Sequence, residues 1–208
     1  MKTQKTIYHL IVDRSGSMTD CMENTINGFN EQIRHIRQLE EQFPEQEITI
    51  GLSMFNSEVK HHLFHAKPAL AQLLTTETYR PSGNTALLDA IGITTAQLEK
   101  DQFEANKTIP TTVVVVILTD GYENSSRVFK MSDIRRMISR LEETGHWTFS
   151  FMGATLDAVD VAEQMSVKRH NSRSFDKRTM DSEVWFQLGK SMSSYMDKKR
   201  SGRKLDNL

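Results

Sequence analysis

Apolar residues in this chain fall into short continuous blocks that alternate with longer stretches in which they recur every third or fourth position. Thr6 to Val12 (Thr-Ile-Tyr-His-Leu-Ile-Val) is a mostly apolar, β-branched run of strand length. Met22, Ile26, Phe29, Ile33, Ile36 and Leu39 then follow at steps of three and four, the stripe of an amphipathic helix, which Pro44 closes. Ile48 to Phe55 predicts a second strand. Val59 to Phe64 predicts a shorter, more polar one, joined to it as a hairpin through Asn56-Ser57-Glu58 and placed by its polarity at a sheet edge. After an apolar segment around Leu70, Leu73 and Leu74, Pro81-Ser82-Gly83-Asn84 marks a loop, and Leu88, Ile91, Thr95 and Leu98 form the next helical stripe.

The run Thr111 to Leu118 contains four consecutive valines with no polar alternation, which requires burial on both faces, as at the centre of a parallel sheet. Ile134, Met137, Ile138 and Leu141 predict a helix ended by Gly145, and Trp147 to Met152 returns as a strand. Ala158, Val161, Ala162 and Met165 mark a short helix, and Trp185, Leu188, Met192 and Met196 a final one. Strands alternating with helices imply right-handed crossovers. The expected fold is α/β: a doubly wound, Rossmann-like, mostly parallel six-stranded sheet with one antiparallel edge strand and helices on both faces. There is no internal repeat, and residues 1–200 are read as one domain with residues 201–208 as a basic tail.

Composition adds boundaries rather than content. With 208 residues, 38% hydrophobic and 25% charged, the chain is ordinary globular material, and 4 Pro and 10 Gly leave little room for a long linker. The net charge of −1 excludes a chain that is basic throughout. It conceals an asymmetry: residues 1–165 carry 15 basic and 22 acidic side chains, a net −7, whereas residues 166–208 carry 11 and 5, a net +6. The first residues lack a small-residue cleavage site and no apolar run reaches membrane-spanning length, so neither secretion nor a membrane span is expected. A single cysteine, Cys21, excludes an internal disulfide and suits the cytoplasm.

Ligands of an open α/β sheet bind beyond the carboxyl ends of its strands. After the first strand comes Asp13-Arg14-Ser15-Gly16-Ser17-Met18, which sets three short oxygen-bearing side chains at alternate positions. Thr85 follows the Pro81–Asn84 loop, and Asp120 ends the valine strand. All three segments are expected on one face. Magnesium favours near-octahedral oxygen ligands at roughly 2.0–2.1 Å and retains waters, so a few short hydroxyls and carboxylates suit it. Asp-x-Ser-x-Ser alone is weak, since Asp and Ser also populate turns and caps. The conjunction in this order is what carries weight.

With these residues the sequence resembles the von Willebrand factor type A (vWA) family, whose metal ion-dependent adhesion site combines Asp-x-Ser-x-Ser, a loop threonine and a strand-end aspartate. The resemblance covers nearly the whole chain. The segments Gly83 to Gly92, Thr119 to Ser126 and Phe151 to Ala154 are similar to small intracellular prokaryotic and phage-type members. The resemblance implies that Ser15, Ser17 and Thr85 bind Mg²⁺ directly, with Mn²⁺ or Ca²⁺ as substitutes, and that Asp13 and Asp120 act through water. It also implies a non-enzymatic protein-binding module whose cation is bridged by an Asp or Glu of a partner protein. Family members of this kind work beside AAA-type ATPases or in phage-defence and stress systems. Arg14 and Met18, flanking the serines, either face that partner or are loop surface and helix packing.

An alternative is a magnesium-dependent phosphohydrolase that uses a strand-end aspartate. Against it, the position two residues after Asp13 is Ser15 rather than a second acid, and the chain has no phosphate-binding glycine loop. His61, His62 and His65 are expected as solvated edge-strand residues, because neighbouring strand positions point to opposite faces. Cys21 is expected to be packed. The run Lys198 to Lys204 lacks the interleaved aromatics that stack bases, so nucleic acid is not an expected ligand and these cations are read as solvated.

Overall fold

The computed structural model describes residues 4–104, 109–154, 157–177, 182–203 and 208. Its strands are β1 (Gln4–Asp13), β2 (Gln46–Phe55), β3 (Val59–Ala66), β4 (Thr111–Thr119), β5 (Trp147–Gly153) and β6 (Ser172–Ser174). The helices are α1 (Met22–Gln42), α2 (Leu87–Glu104), α3 (Met131–Glu143), α4 (Ala158–Gln164) and α5 (Ser182–Arg200). One sheet runs in the order β3-β2-β1-β4-β5-β6. β3 is antiparallel to β2, and every other pairing is parallel. The expected architecture is therefore the observed one, with the polar hairpin strand at the edge.

Side-chain alternation explains how the sheet is covered on both sides. Tyr8, Leu10 and Val12 of β1 and Val114, Val116 and Leu118 of β4 share one core layer with Phe29, Ile33 and Ile36 of α1 and Trp185, Leu188 and Met192 of α5. Ile7 and Ile11, with Val113, Val115 and Ile117, point the other way into a layer closed by α2, α3 and α4. A strand with two buried faces cannot show alternation, which is why the valine run is continuous. Gly145 has φ 72° after α3, the left-handed position expected of it.

The sixth strand of the expected sheet had no segment assigned to it; it is β6, a polar, three-residue strand with no hydrophobic signature, joined to β5 through Phe151, Met152 and Gly153. Two sequence expectations need correction. The β3 histidines are not simply solvated. Ser53 Oγ lies 2.7 Å from His9 Nε2 and 2.8 Å from His61 Nδ1, and His65 Nε2 lies 2.8 Å from Asp101 Oδ2. His61 and His65 stand four positions apart and so share one face of the strand, and the β2–β3 pairing carries register shifts between them. The basic end is not uniformly solvated either. Lys199 is buried, with its ammonium donating to the Lys5 carbonyl, to Thr6 Oγ1 at 2.7 Å and to Thr112 Oγ1 at 2.8 Å. Residues 204–207 of the expected tail lie outside the described residues, and Leu208 donates its amide to Asn171 Oδ1. No helix among the described residues is long and apolar enough to cross a membrane.

Candidate metal centre

The sheet changes winding direction at β1, because α1 carries the chain to β2 on one side and α2 brings it back to β4 on the other. That is the topological switch point, and β1 and β4 end there side by side. Asp13 is the last residue of β1, and Asp120 follows the last residue of β4. Both are buried, as are Ser15 and Thr85, whereas Ser17 is exposed.

Hydrogen bonds draw four of these five residues into one network. Asp13 Oδ1 accepts the Ser15 amide at 2.6 Å, and its Oδ2 accepts the Thr119 hydroxyl at 2.6 Å. Ser17 Oγ donates to Asp120 Oδ1 at 2.7 Å and lies 3.2 Å from Ser15 Oγ. The fifth residue is placed by Gly121. A Cβ on that glycine would stand 3.3 Å from Thr85 Oγ1 and 3.5 Å from Ser17 Oγ, so the absent side chain leaves the space onto which these hydroxyls converge. Two carboxylates and three hydroxyls gathered beyond the ends of β1 and β4 form a hard-oxygen donor set of the kind Mg²⁺ or Mn²⁺ takes. Burial pushes the Asp13 carboxyl up to about 6, a rise that the bonds from Thr119 and Ser15 oppose and the neighbouring Asp120 charge augments. A cation beside it would favour its ionised form.

The loops that present these oxygens are tied to one another. The Gly16 amide donates to the Gly83 carbonyl at 3.0 Å, and the Ser82 amide to the Arg14 carbonyl at 2.8 Å. Thr85 and Asn124 form a reciprocal pair, with the Thr85 amide on Asn124 Oδ1 at 2.9 Å and the Asn124 amide on the Thr85 carbonyl at 3.0 Å. Glu123 accepts from the Leu88, Ser125 and Ser126 amides, and Asp89 accepts from the Arg127, Val128 and Phe129 amides. The loop after β4 is thus stitched to the start of α2 and to Thr85, two residues before it. Tyr79, fully buried, donates its hydroxyl to the Asp13 carbonyl at 2.5 Å.

Thr119, Tyr79, Glu123, Asn124 and Asp89 went unmarked in the sequence reading. Asn124 and Glu123 belong to the Thr119–Ser126 segment, whose likeness to family members was the available signal. Asp89 likewise belongs to the Gly83–Gly92 segment, whereas Tyr79 had no such signal, since its partner is distant in sequence. Of the flanking pair, Arg14 is half-buried and its amide donates to the Phe55 carbonyl. Met18 is fully buried in the layer under α1 and offers no partner-facing surface, which corrects that expectation in favour of packing. Cys21 is buried as expected, and burial pushes its thiol up to about 11. Among the described residues no group of three or more His, Cys, Asp or Glu side chains is arranged to hold a metal, so the hydroxyl-rich centre is the candidate that remains.

One further contact reaches the centre from the basic end of the chain. Lys177, three residues beyond β6, places Nζ 2.5 Å from Asp120 Oδ2. Burial works against the Lys177 charge, but the hydrogen bond and attraction to Asp120 outweigh it and hold the ammonium above the ordinary lysine range.

Solved structures share this architecture at low identity. A von Willebrand factor type A protein from Catenulispora acidiphila superposes with a TM-score of 0.58 at 15% identity, over 91% of this chain and 43% of that one. Manganese-loaded TRAP protein of Plasmodium vivax gives 0.54 at 14% identity, over 86% and 71%. Proximal thread matrix protein 1 of the mussel byssus, with a zinc-occupied MIDAS motif, gives 0.57 at 14%, over 91% and 46%. The chain spans less than half the length of the bacterial and mussel proteins. No curated protein sequence matches it. The sequence profile of the von Willebrand factor type A domain matches residues 9–186. With that match over most of its length and the switch-point sheet to go with it, the chain belongs to the von Willebrand factor type A domain family.

Proposed function

We propose that this protein is a divalent-cation-dependent protein-binding module, with Mg²⁺ as the resident ion and a partner's Asp or Glu carboxylate as the group that completes its coordination. The observation that carries the reading is the convergence of Ser17 Oγ and Thr85 Oγ1 over Gly121, beside the ends of two adjacent parallel strands that bear Asp13 and Asp120. The two solved structures with metal, manganese in one and zinc at a MIDAS motif in the other, support a divalent ion at the corresponding place.

When bound, the ion supplies a Lewis-acidic position for an outside oxygen. The chain's own residues do the rest. Ser15, Ser17 and Thr85 offer neutral oxygens, which leave the ion's charge only partly offset and so receptive to an external carboxylate. Asp13 and Asp120 supply the negative charge. Thr119 and the Ser15 amide fix both oxygens of Asp13, the outer-shell support that orients metal ligands. That double engagement, with the side chain fully buried, also argues against Asp13 as a nucleophile, so a phosphohydrolase gains no support from the geometry.

Thermal melting tests the metal. For a dissociation constant near 1 mM, about 10 mM Mg²⁺ adds roughly 1.4 kcal/mol of stability, an expected rise of about 3–6 °C over EDTA. A Ser15→Ala, Ser17→Ala double variant should lose that rise. An equal rise in the variant, or none in the native protein, refutes the site. A pull-down with Mg²⁺ and then with EDTA tests the partner: protein retained only with metal is expected, and its release by EDTA defines the dependence.

A further inference from the structure

The Lys177–Asp120 contact joins the two oppositely charged parts of the chain inside the candidate metal centre. Asp120 is deep, with its side chain fully shielded from solvent, while that of Lys177 is 30% exposed. The two oxygens of Asp120 are divided: Oδ1 accepts from Ser17, and Oδ2 faces the Lys177 ammonium at 2.5 Å. A buried carboxylate needs a counter-charge, and here an ammonium on a flexible stem provides it. It stands where charge from a divalent ion would also fall.

The lysine is tethered close by. Two residues earlier, Phe175 is buried in the layer under α1 and α5, and its amide donates to the Gly153 carbonyl at 2.9 Å. Phe175 can therefore stay in place while the Lys177 side chain, the more exposed member of the pair, swings outward. Two cations on one buried carboxylate repel each other strongly in a medium of low polarisability.

We propose that Lys177 is a built-in competitor of the metal: its ammonium neutralises Asp120 in the metal-free protein and is expelled when a divalent ion binds. This rests on the metal reading given above and adds to it a residue that sets the affinity without being a ligand. The net −7 body and the net +6 end of the chain are then coupled at the metal centre, and metal loading turns Lys177 from a half-buried partner into an exposed amine. A site whose competent state is populated only one time in ten shows a dissociation constant raised about tenfold.

The test uses Mn²⁺ as the probe, with binding followed by loss of the free-ion electron paramagnetic resonance signal. Lys177→Met keeps the stem and removes the charge, and should tighten Mn²⁺ binding about tenfold relative to the native protein. Lys190→Met, in the same basic part of the chain but on α5, controls for the general field and should leave the affinity unchanged within about twofold. The native protein supplies a second measurement that does not depend on any variant folding: acetylation of Lys177 by a limiting amine reagent, quantified by mass spectrometry, should rise severalfold when Mn²⁺ is added. If the native protein binds Mn²⁺, the Ser15→Ala, Ser17→Ala variant does not, and Lys177→Met matches the native affinity, the metal site stands and the competition is overturned. Lys177 acetylation that ignores Mn²⁺ overturns the expulsion in the same way. If no form of the protein binds Mn²⁺, the metal reading itself fails and takes this inference with it.

Discussion

Asp89 offers a sharp test of how the candidate centre is held together. It sits in the first turn of α2, where a carboxylate is favoured by the helix dipole, and accepts the amides of Arg127, Val128 and Phe129 at 2.8, 3.0 and 2.8 Å. Hydrogen bonds to a charged acceptor typically account for about 1.5–3 kcal/mol each in mutational series. Arg127 and Val128 are exposed, so water replaces part of what is lost, and the net cost of Asp89→Ala to this loop falls near the low end of a single bond, about 2 kcal/mol. That corresponds to roughly thirtyfold faster local opening, since about 1.4 kcal/mol is a factor of ten. Amide hydrogen exchange at residues 127–129 should rise by this factor. Asp89→Asn should fall in between, because its oxygen can still accept from Val128 and Phe129 while its NH₂ group meets the Arg127 amide, donor against donor. The same loop carries Asn124, which positions Thr85, so Mn²⁺ binding should weaken severalfold in Asp89→Ala. Exchange at 127–129 within about threefold of the native rate would refute the reasoning, because the loop would then be held by something other than Asp89.

Gly28→Ala tests the seam between α1 and α5: a Cβ there would stand 1.9 Å from Nε1 of the buried Trp185, and overpacking of that order, less the helix propensity gained, should cost about 2 kcal/mol and lower the melting temperature by about 4–8 °C. Unchanged melting would mean that the indole has room to move. Lys199 gives a pH test, since burial pushes its ammonium down to about 7 from the usual 10.5. Between those values the unfolded chain holds a proton that the folded one releases, so stability rises with pH from about 7 upward, by at most about 1.4 kcal/mol per pH unit. Urea denaturation at pH 7 and pH 9 should show this gain in the native protein and less of it in Lys199→Met; equal slopes in the two proteins would refute it.

The main architecture was legible because it rests on patterns that survive in one dimension. A strand buried on both faces, such as Val113–Leu118, must be apolar at every position, and the stripe of α1 repeats with the helix. The five candidate residues were marked for a different reason: a short motif, a loop threonine and a strand-end aspartate specify oxygen-donor chemistry by their order along the chain. What escaped lies in side chains of ordinary type whose partners are distant. Nothing local to Tyr79 signals that its hydroxyl closes on the Asp13 carbonyl, nor distinguishes Lys177 and Lys199 from the other cations of a basic stretch. For Met18 both a partner-facing and a packed position stood open because it sits in a polar motif, and the short turn Gly16–Cys21 points it inward. β6 escaped because a three-residue strand with two exposed positions has no hydrophobic period to show.

The pairing of β1 with β4 has a consequence for how the protein is made. The two strands are neighbours in space, yet about a hundred residues of chain, two further strands and two helices intervene between them. During synthesis the Asp13–Ser17 turn emerges about a hundred residues before Asp120, and until then it is a loop with one carboxylate and two hydroxyls. Contacts so far apart in sequence form late and slowly. The centre is therefore completed only once β4 has paired with β1, and capture of an ion there marks a chain whose sheet has already closed around its middle strand.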